Sequence, residues 1–203
     1  MTAKVLALDG MGVVYRTCDD VGELLIPFIR ARGSSASDLE IAASYHQASL
    51  GLSGARDFWA QVGCDPALEN EYLGQHELRP GLLELLAHAK KTYQQIWCIS
   101  NDLSEWSGKL RARWQLEEWF HGWIISGDVG HRKPAVEIYS ALTDRARVAG
   151  HEVLFVDDRR ANVDAATALG WGTLHFDLDS RADGTSCAQL WTRVLQPVSS
   201  AAG

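Results

Sequence analysis

Five short apolar runs, separated by longer segments with helical periodicity, constrain the fold of this chain most. The runs lie at about residues 4–8, 95–99, 122–126, 153–157 and 172–176. Segments with the spacing of amphipathic helices lie between them, near 103–116 and 135–147. Strands that alternate with helices are typical of a parallel sheet with helices on both faces. We therefore predict an α/β fold built on a Rossmann-like, doubly wound parallel sheet.

Residues that can carry chemistry stand at the ends of four of these runs. They are Asp9, Ser100 with Asn101, Lys133, and Asp157 with Asp158. Open α/β sheets bind their ligands at the carboxyl ends of the strands, so these side chains are expected to meet. Three carboxylates held within a few Å of one another need a cation, and Mg²⁺ is a hard ion that binds carboxylate and phosphate oxygens. The sequence therefore predicts an acidic magnesium site.

The segment between the first and second runs is too long for one crossover helix. It contains about 85 residues, and connections of that length hold additional structure. Ser37 and Glu40 form the sequence pattern of a capping box. Apolar side chains recur with helical spacing at Val21, Leu24, Leu25 and Phe28, and again at Phe58, Trp59 and Val62. We predict a helical cap domain over residues 17–76 and an α/β core domain formed by residues 1–16 and 77–203.

Two prolines are expected to open helices at the first helical position. Pro80 precedes a predicted helix over residues 81–93, with Leu82, Leu83 and Leu86 facing the sheet. Pro134 is expected to start the helix that follows the third strand.

Composition narrows the class of protein. The chain has 203 residues, of which 46% are hydrophobic, and a net charge of −7. These values favour one globular domain with an insertion and disfavour a nucleic-acid partner, which requires clustered Lys and Arg. No apolar run is long enough to span a membrane and no signal peptide is evident, so we expect a cytoplasmic protein. The four scattered cysteines are expected to be reduced. The oligomeric state, monomer or homodimer, is left open.

The motifs in this order resemble those of the haloacid dehalogenase-like (HAD) hydrolase superfamily, in the subgroup with a small helical cap. Residues 9–13 (DGMGV) resemble the first motif and Ser100 with Asn101 the second. Lys133 with Pro134 resembles the third, and residues 157–162 (DDRRAN) resemble the fourth. The likeness covers roughly residues 4–176 and is nearest to glucose-1-phosphatase-like members and to the N-terminal phosphatases of epoxide hydrolases.

The resemblance implies a role for each of these residues. Asp9 is expected to attack phosphorus and form an aspartyl-phosphate. Lys133 is expected to pair with Asp9 and the transferring phosphoryl group, and Ser100 and Asn101 to bind that group. Asp9, Asp158, the backbone carbonyl of Met11 and, through water, Asp157 are the implied metal ligands. Asn162 either orients the Asp pair or caps its own helix.

Met11 departs from the family pattern. Most phosphatases of the superfamily carry a second Asp at this position, which protonates the leaving oxygen and activates water. Methionine does neither. The first interpretation is a Mg²⁺-dependent hydrolase of a small phosphomonoester whose leaving group needs little protonation, such as a sugar 1-phosphate or an acyl phosphate. The alternatives are a haloacid dehalogenase and a catalytically impaired protein that binds phosphate and Mg²⁺.

Other side chains are weaker candidates. His131 and His46 are each considered as a substitute acid, although a lone His is more often a surface or packing residue. The four tryptophans between residues 106 and 123 are expected to pack in the core, and Trp59 has a better claim than these to line the substrate pocket.

Overall fold

The computed structural model describes residues 3–176 and 187–195. Its five strands form one parallel sheet in the order β3-β2-β1-β4-β5. The strands are β1 (Val5–Asp9), β2 (Gln95–Ser100), β3 (Gly122–Ile125), β4 (Val153–Asp157) and β5 (Gly172–His175). The predicted α/β class and all five predicted strands are confirmed.

The central strand β1 shows why the sheet forms. All five of its residues are buried, and Val5 pairs with Gln95 on one side and with Val153 on the other. A strand covered on both faces carries a continuous apolar run instead of alternating residues. Leu6 and Leu8 join one apolar cluster, and Val5 and Ala7 join a second one on the opposite face.

Helices cover both faces of this sheet. In chain order they are α1 (Ile26–Arg30), α2 (Asp38–Ala48), α3 (Ala55–Gln61), α4 (Glu69–Leu73), α5 (Leu82–Thr92), α6 (Ser104–Arg113), α7 (Ser126–Val129), α8 (Val136–Ala146), α9 (Arg160–Ala168) and α10 (Cys187–Leu195). Leu82 of α5 and Trp191 of α10 belong to the first apolar cluster, and Ile138 of α8 belongs to the second. None of the helices in the described ranges is long and apolar enough to cross a membrane.

Residues 17–76, where the cap domain is predicted, contain helices and turns and no strand. A π-helical turn, Val21–Leu25, runs directly into α1. The predicted capping box is present at the start of α2, where the Ser37 side chain accepts from the Glu40 amide and Glu40 accepts from the Ser37 amide. We refer to residues 17–76 as the helical insert. Their division from the core as a separate domain stays a prediction.

An aromatic cluster joins the helical insert to α6. Trp59 and Tyr72 of the insert lie 5.8 and 4.9 Å from Trp106, measured between ring centroids. The indole N–H groups of Trp59 and Trp106 both donate to Oε2 of buried Glu69, at 3.1 and 3.0 Å. Trp59 is completely buried, so the expectation that it lines the substrate pocket is wrong. Its ring and its N–H group are both used in packing the insert.

Two expectations about helix starts are wrong in detail. Helix α5 begins at Leu82, and Gly81 precedes it with a φ of +79°. Leu83 is 42% exposed, and Leu85 is buried in its place, because a helical face repeats at three and four residues from Leu82. Helix α8 begins at Val136, two residues after Pro134.

Candidate active site

The carboxyl edge of the sheet brings the predicted site residues together. Asp9, Ser100 and Asp157 are the last residues of β1, β2 and β4. These three strands are neighbours in the sheet, and parallel strands end at the same edge. The site therefore follows from the strand order and from the polar residue that ends each strand.

Lys133 reaches this edge from the loop after α7. Its Nζ donates to Asp9 Oδ1 at 2.5 Å, to Asp157 Oδ2 at 2.7 Å and to the Ile99 carbonyl at 2.8 Å. Burial by itself would lower the pKa of the ammonium group. The charges of Asp157 and Asp9 outweigh burial and hold the pKa of Lys133 above its ordinary value. Lys133 is therefore a permanent cation whose three hydrogens all have acceptors.

Asp9 is held in one orientation. Its Oδ1 accepts from Lys133 and from the Gly10 amide, the latter at 2.6 Å. Burial, and then the neighbouring charge of Asp157, raises the pKa of Asp9 well above its ordinary value, against the opposing effect of Lys133. Without a further cation, the ionised form of Asp9 is therefore costly.

Three protein donors satisfy the Asp157 carboxylate through four contacts. Lys133 donates to Oδ2, and the Arg159 amide donates to Oδ1 at 2.7 Å. Asn162 Nδ2 lies 3.1 Å from both oxygens. Of the two roles considered for Asn162, the geometry favours orienting the Asp pair. Because protein donors occupy Asp157, direct binding of an ion falls more readily to its neighbour, Asp158.

Asp158 has the opposite environment. Its Oδ1 is buried and has no hydrogen-bond partner, and a buried charged oxygen without a partner is strongly unfavourable. Burial, and then Asp157, raises the pKa of Asp158. Carboxylate oxygens of Asp9, Asp157 and Asp158 all lie within 4.8 Å of one another. This geometry fits a hard divalent cation, which would neutralise the cluster and take the unused oxygen.

Two glycines of the loop after β1 make room for these groups. A Cβ at Gly12 would lie 2.4 Å from the Asp158 carboxylate, and a Cβ at Gly10 would lie 2.3 Å from Ser100 Oγ. Gly12 also has a φ of +87°. Only glycine allows the backbone to approach both sides of the site this closely.

The side chain of Asn101 positions Lys133. Its Oδ1 accepts from the Lys133 amide at 2.7 Å, and its Nδ2 donates to the Lys133 carbonyl at 3.0 Å. Helix α6 begins at Ser104, so Asn101 lies in the loop before it and not at a helix N-terminus. Binding of a substrate by Asn101 itself stays a prediction.

A cavity of about 240 Å³ lies at the site and is lined by residues of both the core and the helical insert. The insert contributes Tyr45 and His46 from α2, and the core contributes Met11. His46 therefore lines the cavity as a candidate acid. His131 does not line it, and it lies half-exposed with Nδ1 3.8 Å from Glu137.

Arg132 and Asp20 are among the polar residues of the cavity that sequence reasoning missed. Arg132 lines it beside Lys133, and its position next to the motif lysine was a signal that could have been used. Asp20 also lines it and is buried, accepting from the Tyr72 hydroxyl at 2.7 Å and pairing with His76 Nε2 at 2.9 Å. Burial would lower the pKa of His76, but Asp20 outweighs burial and raises it. No sequence spacing indicates this buried pair.

Asp102, which follows Asn101, is a buried acid whose effect on stability can be tested. Burial, and then the charge of Asp20, raises the pKa of Asp102 to about 8, against roughly 3.9 in an unfolded chain. Between these values the folded protein binds a proton that the unfolded chain releases. Asp102 therefore lowers the free energy of unfolding as the pH rises from about 4 to about 8, by up to roughly 1.4 kcal/mol per pH unit.

We expect Asp102→Asn to remove this contribution, because the amide oxygen still accepts from the Leu103 amide. Urea unfolding at pH 5, 7 and 9 should show the variant gaining stability over the wild type as the pH rises. Asp144→Asn, at an exposed position of α8, is the control. Parallel pH profiles for wild type and Asp102→Asn would contradict the assignment.

The fold and this site define a class of protein. It is an α/β protein in which the carboxyl edge of a parallel sheet holds three carboxylates, one buried lysine and space for a small ligand. The profile of the haloacid dehalogenase-like hydrolase family matches residues 9–170. The chain belongs to this family.

Individual relatives agree with this membership. A sesquiterpene phosphatase, astK, from Aspergillus oryzae is 30% identical over 153 residues, which are 72% of this chain and 71% of that protein. A phosphoglycolate phosphatase from Pseudomonas savastanoi pv. phaseolicola is 30% identical over 125 residues, 60% of this chain and 45% of that protein. A HAD family enzyme from Bacteroides thetaiotaomicron, crystallised as a mutant with magnesium and inorganic phosphate, shares the fold with a TM-score of 0.72 and 21% identity. That comparison covers 85% of this chain and 93% of the other.

Proposed function

We propose that the protein is a Mg²⁺-dependent hydrolase of a small phosphomonoester and that Asp9 is its nucleophile. The observation that carries this proposal is the unpartnered, buried Oδ1 of Asp158 beside Asp9. A dehalogenase of this fold needs no metal, so in a dehalogenase this oxygen would destabilise the folded protein without serving the reaction. The name of the family fits both a phosphatase and a dehalogenase. The unpartnered oxygen of Asp158 favours the phosphatase over the dehalogenase.

Asp9, Asp158 and the Met11 carbonyl would hold the ion directly, with Asp157 acting through water. When bound, Mg²⁺ supplies charge neutralisation for the carboxylates and for the phosphoryl oxygens. Two kinds of relative support this proposal. Both curated relatives are named as phosphatases, and the Bacteroides enzyme was crystallised with magnesium and phosphate.

The reaction divides into two displacements at phosphorus. A carboxylate oxygen of Asp9 attacks phosphorus, and the bond from phosphorus to the leaving oxygen breaks, with its electron pair going to that oxygen. The product is an aspartyl-phosphate. Water then attacks the same phosphorus and the bond to Asp9 breaks, so that inorganic phosphate leaves and Asp9 is regenerated. The proton that the water loses passes through solvent to the leaving oxygen, which completes the second product.

Neighbouring residues lower the barrier of these steps. The positive charge of Lys133 lowers the cost of ionising Asp9 and stabilises negative charge on the phosphoryl oxygens. Ser100, which lines the cavity at the end of β2, can donate its hydroxyl to one of them. The helical insert excludes bulk water while the cavity is occupied. The cavity volume lies below the range of roughly 300–1,000 Å³ for drug-sized ligands, which favours a small substrate.

The presence of Met11 leads to a specific prediction about leaving groups. Its side chain is buried and lines the cavity but carries no proton. We expect the wild type to hydrolyse acetyl phosphate much faster than an alkyl phosphate. Met11→Asp should raise kcat/KM for the alkyl phosphate by about 10²-fold and change acetyl phosphate far less, because general acid catalysis matters most for poor leaving groups.

Met11→Leu keeps the apolar volume and serves as the control for this comparison. Initial rates of phosphate release for both substrates measure the ratio. An equal rise for both substrates in Met11→Asp would contradict the assignment of a missing general acid.

The proposed function is tested by phosphate release from a panel of sugar 1-phosphates, alkyl phosphates and acetyl phosphate. We expect turnover with Mg²⁺ and a loss of at least about 10²-fold with EDTA, recovered when Mg²⁺ is restored. Release of halide from 2-haloacids, unaffected by EDTA, would instead establish a dehalogenase. If the wild type binds phosphate and Mg²⁺ without turnover and Met11→Asp gains it, the protein is a binding protein.

A further inference from the structure

The charges that line the cavity are nearly all paired. Lys133 is paired with Asp9 and Asp157. Asp20 is paired with His76, and Asp19 lies 3.9 Å from Arg159. Among residues 3–176 and 187–195, no carboxylate oxygen lies within 4.0 Å of the remaining cation, Arg132.

Arg132 is also held in place with donors to spare. It donates to Ser49 Oγ, and its guanidinium lies 5.6 Å from the centre of the Tyr45 ring. The Tyr45 hydroxyl interacts with Arg132 and donates to the Asn101 carbonyl at 3.1 Å. A guanidinium has five N–H donors in a planar fork that matches a carboxylate. These contacts use at most two of the five and fix the orientation of the rest.

Asp102 is the nearby acid that could offset this charge, and Arg132 acts on its pKa only weakly, behind burial and Asp20. With a pKa of about 8, Asp102 is mostly protonated at neutral pH. The positive charge of Arg132 is therefore not offset by a neighbouring carboxylate in the described part of the chain. It lies between the carboxyl edge of the sheet and the helical insert.

We infer that Arg132 forms a second anion-binding subsite, and that the substrate is a small phosphomonoester whose leaving group carries a carboxylate. This inference rests on the proposed phosphatase function. The cavity of about 240 Å³ holds both Arg132 and Lys133, so the carboxylate must lie within a few bonds of the phosphoryl group. A second phosphoryl group would offer the same charge in a larger volume, which the cavity disfavours.

The test compares 2-phosphoglycolate with its neutral analogue 2-phosphoglycolamide, which has nearly the same shape. We expect wild-type kcat/KM to favour 2-phosphoglycolate by about tenfold to a hundredfold, the range for a hydrogen-bonded charge. Arg132→Gln should remove that preference while changing the amide less than about threefold. Arg132→Lys should restore part of it, and Arg145→Gln, on the exposed face of α8, should leave it unchanged.

Several results would overturn the inference. The subsite is absent if the wild type does not distinguish the two compounds or prefers a bisphosphate. It is also absent if the wild type hydrolyses other phosphomonoesters but neither of these two. An equal loss for both compounds in Arg132→Gln would mean that Arg132 acts on the phosphoryl group or on folding.

Binding separates failure of the subsite from failure of the proposed function. Calorimetry of both compounds with the Asp9→Asn variant, with and without Arg132→Gln, needs no turnover. Preferential binding of 2-phosphoglycolate that depends on Arg132 would support the subsite even if the wild type proved inactive. Equal binding of the two compounds would overturn it.

Discussion

Asp9→Asn is expected to lower kcat/KM for every hydrolysed phosphomonoester by at least about 10⁴-fold, because an amide oxygen cannot form the covalent intermediate. The same variant should fold as stably as the wild type, or more stably, when Mg²⁺ is absent. Asp9 is buried beside Asp157 and Asp158, and the pKa of Asp9 is raised by burial and by the charge of Asp157. Replacing it with a neutral group of the same shape removes that repulsion.

Phosphate release and urea unfolding, measured on the same preparation, check both halves of this prediction. Asp144→Asn makes the identical chemical change at an exposed position and should alter neither quantity. Turnover by Asp9→Asn at more than a few per cent of the wild-type rate, after deamidation is excluded by mass spectrometry, would rule out Asp9 as the nucleophile. Its unfolding in the absence of Mg²⁺ would instead show that Asp9 is needed for structure.

Lys133→Met is expected to damage stability as well as activity. Lys133 is 1% exposed and joins Asp9 and Asp157, which are 8% and 0% exposed. Removing one member of a buried charge cluster leaves the others uncompensated, at a cost of about 3–5 kcal/mol. We also expect kcat/KM to fall by about 10²–10³-fold or more, since the buried positive charge that stabilises the transition-state oxygens is lost.

Lys4→Met is the matched control. Lys4 also forms an ion pair, with Glu152 at 2.5 Å, but its side chain is 49% exposed, and an exposed pair contributes about 0–1 kcal/mol. The deficit of Lys133→Met should shrink at acid pH, because protonation of Asp9, whose pKa is raised by burial and by the charge of Asp157, removes part of the uncompensated charge. A loss that is equal in the two variants, or that does not change with pH, would contradict this account of Lys133.

The fold and the principal site residues could be predicted from the sequence for one physical reason. A strand buried on both faces must be apolar along its whole length, so β1 and β4 are visible as runs that stop abruptly at Asp9 and Asp157. In a parallel sheet these ends are adjacent. Membership in the haloacid dehalogenase-like family agrees with the order of the motifs.

Helix boundaries and individual orientations were harder to predict. Pro134 does not begin α8, and Leu83 points to solvent although Leu82 and Leu86 are buried. Trp59 had a better claim to the pocket than the other tryptophans because it lies in the insert. Its hydrogen bond to Glu69 and its contacts with other rings instead hold it in the core. Local periodicity does not specify which apolar side chain fills a given space in the tertiary structure.

By itself, the sequence determined the parallel sheet, the helical character of the insert and the convergence of Asp9, Lys133 and Asp157. Only the tertiary structure decided what surrounds them, including the unpartnered oxygen of Asp158. The contact between Ser49 and Arg132 joins residues 83 apart in the chain. Such contacts depend on how the helical insert packs against the sheet, and the burial of many side chains together sets that packing. The charges and spacings along the sequence do not predict how the insert packs against the sheet.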